Sequence, residues 1–289
     1  MLTHIFHLHA LSALHVGIGQ AVGSVDLPIA RAKATHLPLV PGSALKGVLR
    51  DEFAGNANVK TLFGPERIDG DEVGHAGALA FGDAHLLLLP VRSLAGVAAF
   101  VTCPFVLARY GEDQKRAGTN DLPKLPVVAD DAAQLCADSV IMAKDRQVVL
   151  EDIDLDVSGQ GDAEAWGTAI AARLYPGDAM WQKLLTQRFA IVSDDNFSFL
   201  ADTATEIRAR IRIDDARGVV ESGALWTEEN LPAETVLWGV IAAGPGRERN
   251  NPMKQEAVRD AFRAGVGTDK TIQIGGKATV GRGLVRFLA

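Results

Sequence analysis

Apolar and polar positions follow two different periods in the first part of the chain. Within residues 2–10, Phe6, Leu8 and Ala10 alternate with histidines, which predicts a half-buried strand. Residues 15–41 contain several glycines and prolines and no sustained period, so we expect a long irregular loop. After this loop, apolar residues recur at helical spacing. They predict a helix with Ser43 as its N-cap and its end near Gly55.

The middle of the chain first favours strands and then loses its pattern. Apolar runs at residues 78–89 and 96–106, separated by a proline-containing break, predict two neighbouring strands. Residues 108–204 are mixed, polar and interrupted by prolines. We expect an insertion there, with helical pieces near residues 130–137 and 178–185.

A strict two-residue period returns in residues 205–213. It places Arg208, Arg210 and Arg212 on one face of a predicted strand and isoleucines on the other. A predicted turn at residues 214–218 and a returning strand at residues 219–226 complete a hairpin that carries a ladder of arginine side chains.

The last part of the chain predicts a strand, a helix and a final strand pair. Residues 235–243 are apolar, and Asn251-Pro252 is expected to open a helix that runs to about residue 264. Residues 270–288 hold a glycine-rich stretch between two β-like pieces. Two sheet-and-helix halves of this kind favour an α+β architecture of the ferredoxin-like (RRM-like) type.

The composition is that of a globular protein. The chain has 289 residues, of which 47% are hydrophobic and 22% charged, and no apolar run is long enough to predict a membrane helix. Its first residues lack the cationic start and apolar run of a secretion signal, and Cys103 and Cys136 have no metal-ligand spacing. We therefore expect a cytoplasmic protein with reduced thiols and no membrane partner.

Charge is unevenly distributed along the chain. A net charge of −7, taken alone, argues against a nucleic-acid binder. Residues 27–50 and 270–289, however, each contain four basic residues and no acidic one, whereas residues 112–164 contain thirteen acidic and five basic residues. The acidity therefore belongs to one middle segment, and both ends are locally cationic.

Two glycine-containing segments are candidate anion-binding sites. In residues 274–283, backbone N–H groups can approach an anion that Lys277 and Arg282 would neutralise. The predicted helix start near Ser43 offers free N–H groups and a positive dipole end, with Lys46 and Arg50 behind it. Each segment alone is also explained by an ordinary turn or helix start.

Asp26 is the one acidic residue in segment 1–50, and it lies in a glycine-flanked loop just before the cationic run. A single aspartate in a loop is most often a turn residue. Its position beside the basic segment nevertheless makes Asp26 a candidate for chemistry on an anionic substrate.

Four short motifs stand out in the sequence. They are Leu14-His-Val-Gly-Ile-Gly19, Leu39-Val-Pro-Gly-Ser-Ala-Leu-Lys-Gly-Val-Leu-Arg50, Ser222-Gly-Ala-Leu-Trp-Thr-Glu-Glu-Asn-Leu-Pro232 and Gly275-Gly-Lys-Ala-Thr-Val-Gly-Arg-Gly283. Together they resemble the RAMP superfamily of CRISPR-associated proteins, with the second and fourth motifs shared across it. The third motif is more similar to the repeated backbone subunit of the type III-B Cmr effector complex.

This resemblance implies a division of the chain into palm, thumb and insertion. Residues 1–107 and 235–289 would form a ferredoxin-like palm whose loop at residues 15–41 carries Asp26. Residues 205–234 would form a thumb-like β-hairpin, and residues 108–204 an insertion of mixed structure.

The resemblance also implies a function, which is the binding of guide RNA and the cleavage of complementary target RNA at regular intervals. Asp26 matches the catalytic position, and His15, Glu228 and Glu229 match positions near the cleavage region. A carboxylate there would hold a divalent metal ion, magnesium or manganese, or take a proton from a 2′-hydroxyl that attacks the adjacent phosphate. The expected product is a cyclic phosphate.

Specificity in such complexes comes from base pairing, so protein contacts would go mainly to the RNA backbone. The implied partners are guide RNA, target RNA, further copies of the chain and other Cmr-type subunits, and the acidic residues 112–164 are expected to lie away from the RNA groove. The candidate RNA-binding residues are Ser43, Lys46, Arg50, Arg208, Arg210, Arg212, Gly275, Gly276, Lys277, Gly281, Arg282 and Gly283.

Three other interpretations remain open at this point. The chain would be a non-catalytic backbone that only holds guide RNA, as in a type III-A-like complex, if Asp26 were idle. A stand-alone ribonuclease that processes guide RNA would need an acid–base pair, for which His15 is the candidate. An unrelated ferredoxin-like metabolic enzyme is the third alternative.

Overall fold

The computed structural model describes residues 1–20, 24–66, 74–214 and 216–289, with residue 222 described by its backbone. The helices are α1 (Gly42–Glu52), α2 (Val59–Phe63), α3 (Pro104–Arg116), α4 (Gly161–Leu174), α5 (Ala179–Thr186), α6 (Asp194–Thr203) and α7 (Gln255–Val266). The strands are β1 (Leu2–Ala10), β2 (Leu39–Val40), β3 (Leu79–Phe81), β4 (Ala84–Arg92), β5 (Ala98–Thr102), β6 (Ala132–Leu135), β7 (Gln147–Leu150), β8 (Ile153–Gly159), β9 (Phe189–Val192), β10 (Glu206–Asp214), β11 (Val219–Asn230), β12 (Val236–Ala243), β13 (Asp269–Gln273) and β14 (Leu284–Leu288).

One large sheet runs through the molecule in the order β13-β14-β1-β12-β4-β5-β9-β6-β8-β7. The short strands β2 and β3 pair with β4 and β12. Antiparallel pairing joins β14, β1, β12 and β4, whereas β5 with β9 and β6 with β8 pair in parallel. The result is an α+β fold in which the segment between residues 98 and 192 extends the same sheet.

Alternation in β1 supplies side chains to both faces of this sheet. Phe6 stacks on Phe287 of β14, and Phe262 of α7 packs against Phe287 and against Phe53, so α1 and α7 cover one face. On the other face, the His7 ring lies against Tyr110 of α3 and shares a hydrogen bond with its hydroxyl. A buried sheet between two helical layers explains the apolar runs in β4 and β12.

Strands β10 and β11 form a separate two-stranded sheet that stands off the large one. The predicted hairpin is confirmed, and its second strand continues four residues beyond the predicted end, to Asn230. Arg208 and Arg210 share one face, as expected, whereas the pairing shifts register between Ile211 and Ile213, so the regular alternation ends before Arg212. The opposite face is open, since Ile207 and Ile211 are each 50% exposed.

Several elements differ from the sequence-based prediction. Residues 130–137 are not helical, because Ala132–Leu135 forms the fully buried strand β6, and tertiary pairing outweighs the helix preference of alanine there. The strand predicted at residues 96–106 ends at Thr102, since Pro104 occupies the first turn of α3. The helix predicted near residues 178–185 is confirmed as α5, with Asp178 as its N-cap.

Two helix starts were also wrongly predicted. Ser43 lies inside the first turn of α1, whose N-cap residue is Pro41, and the first helical amide is bonded by Asp83 instead. The last helix, α7, begins at Gln255 rather than at Asn251-Pro252. The predicted turn at residues 214–218 includes residue 215, which lies outside the described residues.

Candidate functional site

Asp26 lies at the rim of an open cleft beside the hairpin. The cleft has a volume of about 580 Å³, and its lining comprises Gln20, Asp26, Leu27, Arg212, Gly223, Leu225, Trp226 and Lys277. The structure thus brings Asp26 together with two of the basic residues predicted from sequence, Arg212 and Lys277. A carboxylate and two cations around one opening suit a phosphate-containing ligand.

The backbone around Asp26 is held against β11 by a short parallel pairing. The Leu27 amide donates to the Thr227 carbonyl at 3.1 Å, and the Glu229 amide donates to the Leu27 carbonyl at 3.0 Å. This part of the predicted loop at residues 15–41 therefore acts as a third strand of the hairpin over a few residues. This pairing fixes where Asp26 stands relative to Thr227.

Thr227 also bonds the side chain of Asp26. Its amide donates to Asp26 Oδ2 at 2.7 Å and its hydroxyl donates to the same oxygen at 2.9 Å, while the Asp26 amide donates to Thr227 Oγ1 at 3.0 Å. The hydrogen bond from the Thr227 amide, followed by that from its hydroxyl, lowers the pKa of Asp26 below its ordinary value. Oδ1 accepts no hydrogen bond from another described residue, and Asp26 itself is exposed.

Glu228, the residue after Thr227, is fully buried. Its Oε1 accepts hydrogen bonds from Trp226 Nε1 at 2.8 Å and Lys277 Nζ at 2.9 Å, and its Oε2 lies 3.3 Å from Arg210 Nε. Burial alone would raise the pKa of Glu228, but these donors together lower it to about 2. Glu228 is therefore an ionised acid that holds Lys277 and Arg210 in place.

His15 and Glu229 form the base of the same region. The His15 ring, 6% exposed, lies with Nδ1 2.6 Å from the Glu229 carbonyl oxygen, so Nδ1 is the protonated nitrogen that donates. The Glu229 carboxylate accepts the Ile29 amide at 3.1 Å and pairs with Arg31 at 2.6 Å. Both residues therefore organise the loop and the hairpin from below the cleft.

The glycine-rich end of the chain wraps around His15. The Gly276 amide donates to the His15 carbonyl at 2.9 Å, and the Gly283 amide donates to the Ala13 carbonyl at 2.9 Å. A Cβ at Gly275 would overlap the His15 carbonyl oxygen, and one at Gly283 would overlap the Ile274 carbonyl. A Cβ at Gly281, in contrast, would meet open space, and glycine is favoured there by its φ of +77°.

Arg282 differs from what the motif predicted. Its side chain is only 8% exposed, and its Nε has no hydrogen-bond partner among the described residues. It does not line the Asp26 cleft, whereas Lys277 does.

Each arginine of the ladder faces a carboxylate. Arg208 bonds Glu206 at 2.6 Å, and Arg212 lies 3.5 Å from Glu221. Arg210 faces the buried Glu228. Arg212 retains 68% side-chain exposure, which leaves its guanidinium the most accessible of the three to a ligand.

The α1 residues lie apart from this cleft. Ser43 is exposed, Lys46 has no ion pair among the described residues, and Arg50 donates to the Gly64 carbonyl at 2.9 Å. None of them lines the cleft. Asp83 already accepts the Gly42 amide at 2.8 Å, so an acid occupies the position where a phosphate was expected at this helix start.

A divalent ion at Asp26 was expected from sequence. The described residues include no group of three or more His, Cys, Asp or Glu side chains placed to hold a metal ion. Asp26 offers one free carboxylate oxygen, and the nearby Glu228 and Glu229 are occupied by cations. These residues do not fit a preassembled metal site, and the ion stays a prediction.

Three residues of the region were not singled out from sequence. Thr227 and Trp226 belong to the motif at residues 222–232, in which the predicted site residues are Glu228 and Glu229. Arg31 counted only as one charge of the cationic segment. No local pattern reveals these roles, because each depends on a partner far away in the chain.

The distal end of the large sheet, formed by β8 and β7, is acidic, and its residues do not line the Asp26 cleft. Asp154 and Asp156 are exposed on β8, and β8 and β7 end the sheet opposite to β13 and β14. Within the described residues, no helix is both long and apolar enough to cross a membrane.

Comparisons with known proteins agree on one family. A family model described as the RAMP superfamily matches residues 7–286. The chain is 35% identical over 295 residues to the CRISPR system Cmr endoribonuclease Cmr4 of Pyrococcus furiosus, covering 99% of this chain and 95% of the relative.

Solved structures give the same result. The crystal structure of oligomeric Cmr4 from Pyrococcus furiosus matches with a TM-score of 0.74 at 29% identity, covering 100% of this chain and 97% of that one. A chain of the type III-B Cmr-beta complex bound to cognate target RNA shares the fold, with a TM-score of 0.72 at 19% identity and coverage of 100% and 97%. The chain therefore belongs to the RAMP superfamily and, within it, to the Cmr4 family of CRISPR systems.

Proposed function

We propose that this chain is a backbone subunit of a type III-B CRISPR effector complex, in which it binds guide RNA and cleaves complementary target RNA at regular intervals. Its similarity to a protein named Cmr endoribonuclease supports the activity, and its similarity to oligomeric Cmr4 supports assembly with further copies and other Cmr-type subunits. The observation that carries the proposal is the Asp26 cleft, where one free carboxylate oxygen lies beside Lys277 and Arg212.

The proposed architecture is a ferredoxin-like palm with a thumb. Strands β14, β1, β12 and β4 are antiparallel neighbours in that order, with α1 between β1 and β4 in the chain and α7 between β12 and β14. This arrangement supports a split βαβ palm formed by residues 1–107 and 235–289. The hairpin at residues 205–234 would be the thumb, and residues 108–204 the insertion, whose strands extend the palm sheet.

The proposed chemistry is attack by a ribose 2′-hydroxyl of the target. The Asp26 carboxylate removes the proton, the 2′-oxygen bonds to the adjacent phosphorus, and the bond to the 5′-oxygen breaks. Solvent protonates the leaving 5′-oxygen, since the cleft is open. Lys277 and Arg212 donate hydrogen bonds to the phosphate, and the products are a 2′,3′-cyclic phosphate and a 5′-hydroxyl.

The low pKa of Asp26 keeps this base ionised in neutral solution. We propose that a magnesium or manganese ion, if the complex requires one for cutting, is held mainly by RNA oxygens, because Asp26 is the one acidic residue among the described residues that line the cleft.

The test uses the assembled complex with labelled RNA complementary to its guide. We expect regularly spaced cuts, no cuts in non-complementary RNA, and loss of a single cut when the nucleotide that supplies its 2′-hydroxyl is replaced by the 2′-deoxy form. Complementary RNA that binds without being cut would make the chain a guide-holding backbone. Cuts that survive the deoxy substitution would exclude the 2′-hydroxyl mechanism.

A further inference from the structure

Arg31 holds the segment that carries Asp26 from the side opposite the cleft. Its side chain is only 13% exposed. The guanidinium donates to Glu229 Oε1 at 2.6 Å, to Asp202 Oδ1 at 2.9 Å, and to the carbonyls of His36 at 2.9 Å and Ala201 at 3.1 Å. Four acceptors from three parts of the chain therefore converge on one planar cation.

Glu229 connects this cation to the backbone beside Asp26. One of its carboxylate oxygens pairs with Arg31, and the other accepts the Ile29 amide at 3.1 Å. Ile29 lies three residues after Asp26, in the segment that pairs in parallel with β11. The pairing partner of Asp26, Thr227, lies two residues before Glu229 in the same strand. The contacts from Arg31 through Glu229 to Ile29 therefore fix the register of the Asp26 segment against β11.

The main chain of Glu229 in β11 also holds His15. Because Glu229 accepts the His15 ring N–H through its main-chain oxygen, a shift of Glu229 would move His15 as well as Ile29. The ion pair of Arg31 and Glu229 is nearly buried on both sides, with side-chain exposures of 13% and 7%. Loss of Arg31 would leave Glu229 buried without its cation, and such a group relaxes by moving toward water.

A second cleft gives solvent a route to this contact. It has a volume of about 790 Å³ and lies on the other side of the Asp26 segment. Arg31, Asp202 and Glu229 all contribute to its lining, together with apolar residues such as Ile29 and Ile207. A small planar cation could therefore reach the position of the guanidinium if the arginine side chain were shortened.

We propose that Arg31 is a positioning residue for target cleavage, whose forked guanidinium holds the Asp26 carboxylate in register with β11 without touching the RNA. This inference rests on the proposed function, since it assigns Arg31 a role in the reaction at Asp26. Lysine cannot reproduce it, because a single ammonium group does not present a planar fork to two carboxylates and two carbonyls at once.

The test is single-turnover cleavage of complementary RNA by the assembled complex at saturating target. Complexes contain wild-type chain, Arg31→Met, Arg31→Lys, Asp26→Asn or Arg188→Met. We expect the rate constant of Arg31→Met to fall about 10- to 100-fold, as for a displacement of about an ångström at a reacting group, with unchanged target Kd. Arg31→Lys should lose less, about 3- to 10-fold, because it keeps the charge.

Arg188→Met is the matched control. Arg188 also donates to two backbone carbonyls, those of Gly96 and Leu184, but in the part of the sheet around β9. Its replacement should leave the rate constant unchanged. A purely structural role of Arg31 would lower the fraction of active complex, seen as reduced burst amplitude, while the rate constant of the remaining complex stayed at the wild-type value.

Chemical rescue separates positioning from folding. With Arg31→Ala, millimolar guanidinium should enter the second cleft and restore several-fold of the lost rate constant, whereas neutral urea of the same shape should not. If complexes with Arg31→Met do not assemble, the rate constant of Arg31→Lys tests the positioning role. A wild-type rate constant for Arg31→Lys would overturn the proposal that the forked guanidinium is needed.

The outcomes also separate this inference from the proposed function. A wild-type rate constant for Asp26→Asn would overturn the proposed catalytic site itself. Inactive Asp26→Asn together with Arg31→Met at the wild-type rate constant would overturn only the positioning role.

Discussion

Asp26 and Glu228 are acidic residues on adjoining backbone segments, yet their surroundings are opposite. Leu27, next to Asp26, pairs with Glu228 across the short parallel ladder. Glu228 is fully buried, and both of its oxygens are occupied by Trp226, Lys277 or Arg210. Asp26 is exposed and is anchored through one oxygen only. The exposed rim can therefore do chemistry, whereas the buried interior can only hold cations in position.

The pKa values of both acids are lowered, but for different reasons. At Glu228 burial opposes ionisation, and hydrogen bonds from Trp226 and Lys277 overcome it. At Asp26 the lowering comes from two hydrogen bonds of Thr227 with little burial to oppose them. A low pKa therefore does not identify the base; the free oxygen does.

Removal of the Glu228 carboxylate should have the largest effect on stability. Glu228→Leu leaves Lys277 and Arg210 without their shared acceptor, and we expect a loss of about 3–5 kcal/mol in the free energy of unfolding. Glu206→Leu, which breaks the partly exposed pair with Arg208, should cost less than about 1 kcal/mol. Denaturant unfolding of both variants measures the difference. Equal losses of unfolding free energy would contradict the description of Glu228 as a buried acid whose two oxygens are both paired.

The adjacent glycines Gly275 and Gly276, which lie against His15, should show the next largest difference in stability on substitution. Gly275→Ala places a Cβ against the His15 carbonyl at φ of +82°, and we expect a loss of more than about 2 kcal/mol. Gly276→Ala meets only His15 Cδ2 at 3.6 Å, an ordinary contact, and should cost less than about 0.5 kcal/mol. Thermal unfolding compares the two. Similar melting temperatures would show that the loop relaxes freely around His15.

Thr227→Val should make Asp26 a weaker acid without removing it. The substitution deletes the hydroxyl that donates to Asp26 Oδ2, so the pKa of Asp26 rises toward its ordinary value. Because Asp26 acts in its ionised form, cleavage is lost as pH falls through this pKa, and the acid limb of the rate profile should move to higher pH. Thr203→Val, which removes a hydroxyl from α6, is the control, and the acid limb of its rate profile should stay at the wild-type pH. An unmoved limb in Thr227→Val would contradict the role of Asp26 as base.

Arg212→Ala should have the smallest effect, which is confined to RNA binding. Arg212 is the most exposed arginine of the ladder and lines the cleft, so its loss should reduce the salt slope of RNA affinity by about 1. Arg208, bonded through two nitrogens to Glu206, should contribute less. Affinity measured across a salt series tests this order, and equal salt slopes for the two single variants would contradict it.

A strict alternation of apolar and polar residues predicted strands correctly both where the two faces are largely buried, as in β1, and where no residue is buried, as in β10. The alternation in β1 and the arginine ladder of β10 both led to correct strands, because period-two patterns persist whether or not a strand is covered. The pattern failed for β6, whose four residues are all buried, since a fully buried strand has no alternation and Ala132-Ala133 favours a helix. It also missed α3, although Pro104 marks its start.

The candidate site was predictable in its members but not in its arrangement. Asp26, Lys277 and Arg212 were all expected and lie around one cleft, whereas Ser43, Lys46 and Arg50 lie elsewhere. Sequence could not show that Glu228 neutralises Lys277, or that Arg31 reaches Glu229, because these pairs form only when distant segments meet. Counting charges therefore overestimates the cations available to RNA.

The most direct test of the Asp26 cleft is the cleavage of complementary RNA by complexes assembled with Asp26→Asn. Asparagine keeps the shape and an acceptor oxygen for Thr227 but cannot take a proton, and Asp154→Asn on the exposed distal strand removes the same charge as a control. We predict that Asp26→Asn lowers the single-turnover rate at least about 1,000-fold with target binding retained, and that Asp154→Asn cuts normally. Regularly spaced cuts at the wild-type rate in Asp26→Asn would contradict the assignment and place the chemistry elsewhere.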